Sequence, residues 1–276
     1  MGAIEWNVDP EIFRLFDTFP VKYYGLFFVS GLLLGYNLVK RVYRLENIPV
    51  ENLEKLSTYI FAGILIGARL GHCLFYDFAY FSQHPLEIFL PFQIVNGSWH
   101  FTGFSGLASH GGSIGALLAI ILYCRKNKTS VLWVMDRVAL GTPITGAFIR
   151  LGNLMNSEIY GKPTHGDYGM IFVRDDMIPR HPTQLYEACT YLLIFALLWY
   201  LYKKTNVIKK EGVLLGVLLS VLFCARLILE FFKENQVAFE DSMTLNMGQL
   251  LSLPFIIIGV FLIIRGKEKS VLETKK

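Results

Sequence analysis

Ile149-Arg150-Leu151-Gly152-Asn153-Leu154-Met155-Asn156-Ser157-Glu158-Ile159-Tyr160-Gly161 closes a long apolar stretch with a cation, a carboxylate and two amides. Residues Leu132 to Met155 read as a bilayer span, which puts these polar groups at its end. An arginine near the centre of a spanning helix costs roughly 2.5 to 3.5 kcal/mol on insertion scales. Charges at such depth mark function by default. A partner inside the protein or a polar group brought in by a ligand must offset them. In a continuing helix Asn153 and Asn156 share a face, with Arg150 one turn back. Gly161 and Pro163 then form a turn signal that releases the chain to water or the lipid interface.

Working outward, the rest of the chain is of the same class. Over 276 residues, 53% are hydrophobic and only 17% charged, and mean hydropathy is positive. That composition excludes an ordinary soluble domain. Seven apolar blocks approach the roughly 20 residues that a hydrocarbon core demands. They run over residues 23–39, 57–76, 103–124, 132–155, 185–202, 212–232 and 248–264. The expected architecture is an all-α integral membrane protein of seven transmembrane helices, one polytopic domain over residues 1–276, with small extracytoplasmic loop substructure. Of the Lys and Arg outside the spans, 16 fall on one side and 6 on the other. The positive-inside rule then puts the C-terminus in the cytoplasm and the N-terminus outside.

The net charge of +4 is spread as topology signals without a dense basic cluster, which argues against nucleic acid as a partner. Cys73, Cys124, Cys189 and Cys224 lie in or beside spans without a CxxC pair, and read as small apolar packing residues. No basic n-region precedes the first span, which is expected to direct insertion itself. Segment Glu5 to Phe19 mixes acids with aromatics and is expected to be an outer-face amphipathic helix. Trp99, Trp133 and Trp199 sit near span ends, as interfacial anchors do.

Further polar groups fall within or beside the spans. Arg69 lies in Gly67-Ala68-Arg69-Leu70-Gly71-His72, where small residues permit close helix approach; it is either a buried cation or an arginine snorkelling to the interface. His110, beside Gly111 and Gly112, is either a hydrogen-bonding strut or a chemical group at a place where a ligand can come close. Arg226 and Glu230 have the spacing of an intrahelical ion pair. Thr183, Gln184 and Glu187 cap a helix or line a cavity. Tyr24 beside Gly25 is a candidate site residue, whereas Tyr23 suits the interface. By the topology above, Tyr24, Arg69, His110, Asn153, Glu158, Glu187, Arg226 and Glu230 all fall on the outer side, and one polar chamber explains them economically. Arginines suit an anionic lipid head group, because guanidinium binds phosphate bidentately. No metal is required, and no cofactor is expected, since no ligand cluster has the spacing for one. Intramembrane Arg, Glu and His also mark transporters, though an odd seven-span layout without paired broken helices argues against an inverted-repeat carrier, and a non-enzymatic lipid-binding protein could carry the same polar pocket.

These motifs together resemble the bacterial phosphatidylglycerol:prolipoprotein diacylglyceryl transferases over nearly the whole chain. The family's Gly-Arg-x-Gly-Asn-Phe-x-Asn-x-Glu-x-x-Gly signature is met by Arg150, Gly152, Asn153, Asn156, Glu158 and Gly161, with Ile149 and Leu154 replacing its Gly and Phe. Its His-Gly-Gly falls at His110 to Gly112, its Tyr-Gly at Tyr24 and Gly25, and its Arg-His-Pro-x-Gln-x-Tyr-Glu at Arg180 to Glu187. Its late Arg and Glu fall at Arg226 and Glu230, and its Gly-Gln-x-x-Ser at Gly248 to Ser252. The resemblance implies a multi-pass protein of the bacterial cytoplasmic (inner) membrane with its active site toward the extracytoplasmic side. The implied partners are phosphatidylglycerol, a prolipoprotein signal peptide with its lipobox cysteine, and the bilayer; the implied reaction moves a diacylglyceryl group to that thiol and releases glycerol 1-phosphate. A thiol must become a thiolate to attack, so a base is needed. His110 is one candidate, and Glu158 or Glu230 the rival. Arg150 and Arg226 would stabilise the leaving phosphate, and Asn153 and Asn156 would orient glycerol hydroxyls.

Overall fold

The computed structural model describes residues 2–16, 19–90, 92–95, 98–101, 106–166, 168–234, 243 and 245–266, with backbone alone at 19, 93–95 and 98–101. The chain is mostly helical. Its helices are α1 (Tyr23–Leu45), α2 (Val50–Phe75), the short α3 (Phe78–Phe81), α4 (Ser109–Lys126), α5 (Val131–Met155), α6 (Thr183–Lys204), α7 (Val213–Leu229) and α8 (Met247–Arg265). Among the described residues, α1, α2, α6, α8 and the segment Val213–Phe232 that contains α7 are long and apolar enough to cross a membrane. The chain is therefore an all-α integral membrane protein in its main architecture. α4 and α5 are also long, but Arg125 and Lys126 close the first while Asp136, Arg137, Arg150 and Asn153 interrupt the second. Residues 103–105 of the expected third span lie outside the described residues, as does the side chain of Trp99.

The described residues of the segment Glu5 to Phe19, expected as an amphipathic helix, instead contribute to strands, and residues 17–18 lie outside the described residues. β1 (Ile4–Trp6) precedes β2 (Glu11–Leu15) and β3 (Phe19–Lys22). Pro10 interrupts any helix across this stretch, and Ile12 and Phe13 favour a strand. β2 and β3 pair antiparallel, with Glu11 opposite Lys22 and Phe13 opposite Val21. β1 runs parallel to β6 (Met170–Phe172), which pairs antiparallel with β7 (Pro179–Arg180). β4 (Phe92–Val95) and β5 (Ser98–Phe101) form a second hairpin.

The helices and strands group into two compact units, one of Met1–Val42 with Met135–Lys276 and one of Tyr43–Val134. In the larger unit glycines set the helix spacing. A Cβ on Gly141 would lie 2.8 Å from the Gly35 carbonyl, and one on Gly259 2.7 Å from that of Gly216; such small residues let backbones meet where lipid supplies no hydrophobic drive. Thr145 donates to the Gly31 carbonyl at 3.0 Å across the same seam. In the smaller unit α2 and α4 meet in the same way, a Cβ on Gly71 falling 2.8 Å from the Gly111 Cα.

Candidate functional site

The signature helix α5 ends at Met155, and its last turn is closed by Asn156 N–H to the Gly152 carbonyl (3.1 Å) and Glu158 N–H to that of Asn153 (3.0 Å). Ser157 and Ile159 follow with φ of 54° and 59°, a region that costs a β-branched residue dearly and gathers at functional sites. The bend is held from outside. Trp6 donates its indole N–H to the Leu154 carbonyl (3.1 Å), Gln184 its amide to that of Glu158 (2.8 Å), and Thr183 its hydroxyl to that of Ile159 (3.0 Å). These three side chains satisfy carbonyls in and just after the last turn of the helix, the groups a helix C-terminus leaves orphaned. Thr183 and Gln184 thus hold the signature turn rather than capping their own helix. Gly161 is forced by space, since a Cβ there would sit 2.7 Å from the Thr183 methyl.

The bend sends Glu158 back toward the amides. Its Oε1 accepts from Asn153 Nδ2 at 2.7 Å and from Asn156 Nδ2 at 3.4 Å, and Arg150 donates to Asn153 Oδ1 at 3.3 Å. The carboxylate that pairs with Arg150 is Glu187 on α6, at 2.7 Å. Glu187, only 2% exposed, also pairs with Lys233 at 3.0 Å. Lys233 in turn approaches Glu230 at 3.8 Å, and Glu230 stands 4.0 Å from Arg226. One ionic chain therefore runs Arg150, Glu187, Lys233, Glu230, Arg226, closing two arginines of the sequence motifs through buried counter-charges. Gly248 leaves room for Glu230, because a Cβ there would lie 2.7 Å from the carboxyl carbon. An Asn246–Gln249 capping box starts α8 at this point. Tyr24 lies against Gly152, 3.0 Å from where a Cβ would stand.

Beside the turn, Asn156, Ser157, Glu158, Ile159, Tyr160, Arg174 and Asp175 line a polar cavity of about 450 Å³. Outside it, Arg180 joins Asp176 (2.6 Å) and Glu234 (2.7 Å) over the face of Tyr160. The hydrogen bond from Arg180 outweighs burial and holds the Asp176 carboxyl below its ordinary range.

Arg69, His110, Gly111 and Gly112 belong to the smaller unit. Arg69 donates to the carbonyls of Glu87 and Ile88 and stacks on Phe81, pinning the loop after α2. Tyr80 donates to the buried Glu87 carboxylate at 2.7 Å in that loop. His110 stands exposed in the first turn of α4. The sequence reading missed Lys233, which it counted only as a loop charge, and Tyr191, which neighbours Arg150 from α6. Lys233 lies three residues after Glu230, and Tyr191 four after Glu187, spacings that place side chains on one helix face.

The family model for prolipoprotein diacylglyceryl transferase matches residues 10–265. A Bacteroides fragilis protein named phosphatidylglycerol–prolipoprotein diacylglyceryl transferase is 49% identical over 271 residues, covering 98% of each chain. Proteins of the same name from Tolumonas auensis and Rickettsia bellii are 47% and 36% identical, covering 96% and 97% of this chain and 98% of each relative.

Proposed function

The chain belongs to the prolipoprotein diacylglyceryl transferase family, and on that premise we propose that it transfers the diacylglyceryl group of phosphatidylglycerol to the thiol of a lipobox cysteine in a prolipoprotein. The observation that carries this reading is the buried ionic chain joining Arg150 to Arg226. It offsets the cost of placing two guanidinium groups inside a membrane protein, and guanidinium suits the phosphate of an anionic phospholipid.

In the proposed reaction the substrate sulfur attacks the glycerol carbon that bears the phosphate. The carbon–oxygen bond breaks, a thioether forms, and glycerol 1-phosphate leaves with the electron pair. Arg226 and Arg150 stabilise the charge on the departing phosphate, while Asn153 and Asn156 orient glycerol hydroxyls. We assign the thiol proton to His110, since Glu158 already accepts from two amides, Glu230 is flanked by Lys233 and Arg226 at 3.8 and 4.0 Å, and an imidazole nitrogen is a common general base. Tyr24, Arg69, Gly111, Gly112, Gly161 and Glu187 shape the substrate site under the same reading. The proposed setting is one polytopic domain of seven spans in the bacterial cytoplasmic membrane, N-terminus outside, site toward the extracytoplasmic face.

Purified protein incubated with phosphatidylglycerol and a lipobox peptide is expected to yield a diacylglyceryl adduct on the cysteine by mass spectrometry. A transporter or a lipid-binding scaffold would give none.

A further inference from the structure

Asp136 lies on α5, fourteen residues before Arg150, and its side chain is fully buried. Its two oxygens accept the backbone N–H of Gly212 at 2.7 Å and of Leu215 at 2.9 Å. Those N–H groups belong to the first turn of α7, whose N-cap is Gly212 in the left-handed region at φ 87°. A glycine cannot supply the side-chain acceptor that a helix start wants. The acceptor comes instead from another helix, with a negative charge set at the positive end of the α7 dipole.

The spacing beyond this tie is the informative part. From Asp136 to Arg150 along α5 is fourteen residues, and from Gly212 to Arg226 along α7 is also fourteen. At 1.5 Å per residue both arginines stand about 21 Å from the Asp136 contact. At that far end the two helices are joined again by the chain Arg150, Glu187, Lys233, Glu230, Arg226. α5 and α7 therefore share a fixed point at one end and a charged site at the other. Sliding or tilting one helix at the fixed point carries its arginine out of step with the other.

We propose that Asp136 is a positioning residue: it fixes the register of α5 against α7 and so sets Arg150 and Arg226 at one depth, about 21 Å away, for the same phosphate. This rests on the transferase reading above. Asp136 stands about 21 Å along the helices from both arginines and acts through the two helices it ties together. A displacement of about 1 Å at a reacting site can lower a rate by roughly 100-fold, which sets the scale of the effect.

The test uses the full-length protein in phosphatidylglycerol micelles with a lipobox peptide. Asp136→Asn turns one oxygen into an N–H donor facing an N–H. It is expected to lower kcat by about 100-fold while leaving KM for the peptide within about twofold. Asp136→Glu keeps the charge but moves it by one methylene, and serves if the Asn variant does not fold; it is expected to fold and still lose at least about tenfold in kcat. Adding Gly212→Asn to Asp136→Asn gives α7 a cap of its own, since Asn tolerates the left-handed region. Thermal stability is expected to return in this double variant, and turnover is not. Recovery of both would reduce Asp136 to a helix cap and overturn the inference, as would a kcat within twofold of the parent in either single variant. An inactive parent would refute the transferase reading instead, so the two failures are distinct.

Discussion

Replacing Glu187 by Gln removes a carboxylate that touches both Arg150 and Lys233, at 2.7 and 3.0 Å. At those separations and an effective dielectric of about 20, each contact is worth roughly 5.5 to 6 kcal/mol of Coulomb attraction before desolvation is subtracted. Lys233 is 4% exposed and the Arg150 side chain 17%, so the cations left behind regain little water. Removing one partner of a buried pair costs about 3 to 5 kcal/mol, or roughly two to three and a half decades in the folded-to-unfolded ratio. Lys233→Met is expected to cost less, because Arg150 keeps Glu187 and Arg226 keeps Glu230. Combining the two removes one charge of each sign, and the loss should fall short of the sum by about 1 to 3 kcal/mol. Equilibrium unfolding of the four proteins in phosphatidylglycerol–detergent micelles measures all of these terms. The reasoning fails if Glu187→Gln unfolds at the parent's denaturant concentration, or if the two single losses simply add.

Arg150→Lys keeps charge but loses the planar fork, and transfer of the diacylglyceryl group is expected to drop by about 100-fold or more in a mass-spectrometric assay; unchanged activity would end its role toward phosphate. Ile159→Asn should relieve a left-handed β-branched residue and raise stability by about 1 kcal/mol, read as a higher thermal midpoint. Asp176 has a carboxyl held below its ordinary value by Arg180, so its contribution is present above the unfolded pKa and lost as pH falls through the folded one. The parent's thermal midpoint should therefore fall between about pH 5 and pH 3 more steeply than that of Asp176→Asn, and equal slopes would remove the linkage.

The helices were legible because apolar blocks carry them, and their ends were not. α2 begins at Val50, through Glu51, Glu54 and Lys55, because a helix continues past the lipid boundary where hydropathy no longer records it. The N-terminal strands were misread because a mixture of acids and aromatics has no helix period of its own, and Pro10 decides against one. Within the site, the motifs paired Arg226 with Glu230 by their spacing, as the structure does at 4.0 Å, but could not say which carboxylate meets Arg150. That depends on the bend at Ser157 and Ile159, which turns Glu158 to Asn153 and Asn156 and leaves Arg150 to Glu187 on a different helix. Asp136 was hidden for a related reason: its partners are backbone N–H groups 76 and 79 residues away, and no side-chain spacing records such a contact.

The cost of burying Arg150 at the end of an apolar stretch demands either a protein partner or a ligand, and the structure divides that demand between the two arginines. Arg150, 17% exposed, is held against Glu187, Asn153 and Tyr191. Arg226, 39% exposed, stands 4.0 Å from Glu230, whose other side faces Lys233 at 3.8 Å. Among the described residues the three cations of this chain pair with two carboxylates, Glu187 and Glu230, which leaves one positive charge in excess along it. Burial places the surplus: Lys233 is enclosed and Arg150 engaged, which leaves Arg226 the group with room to turn toward an anion. In the proposed reaction Arg226 is then the first contact of the phosphate and Arg150 the fixed charge behind it. Lys233 matters to both, because it lets Glu187 and Glu230 coexist in a buried space where two carboxylates alone would repel.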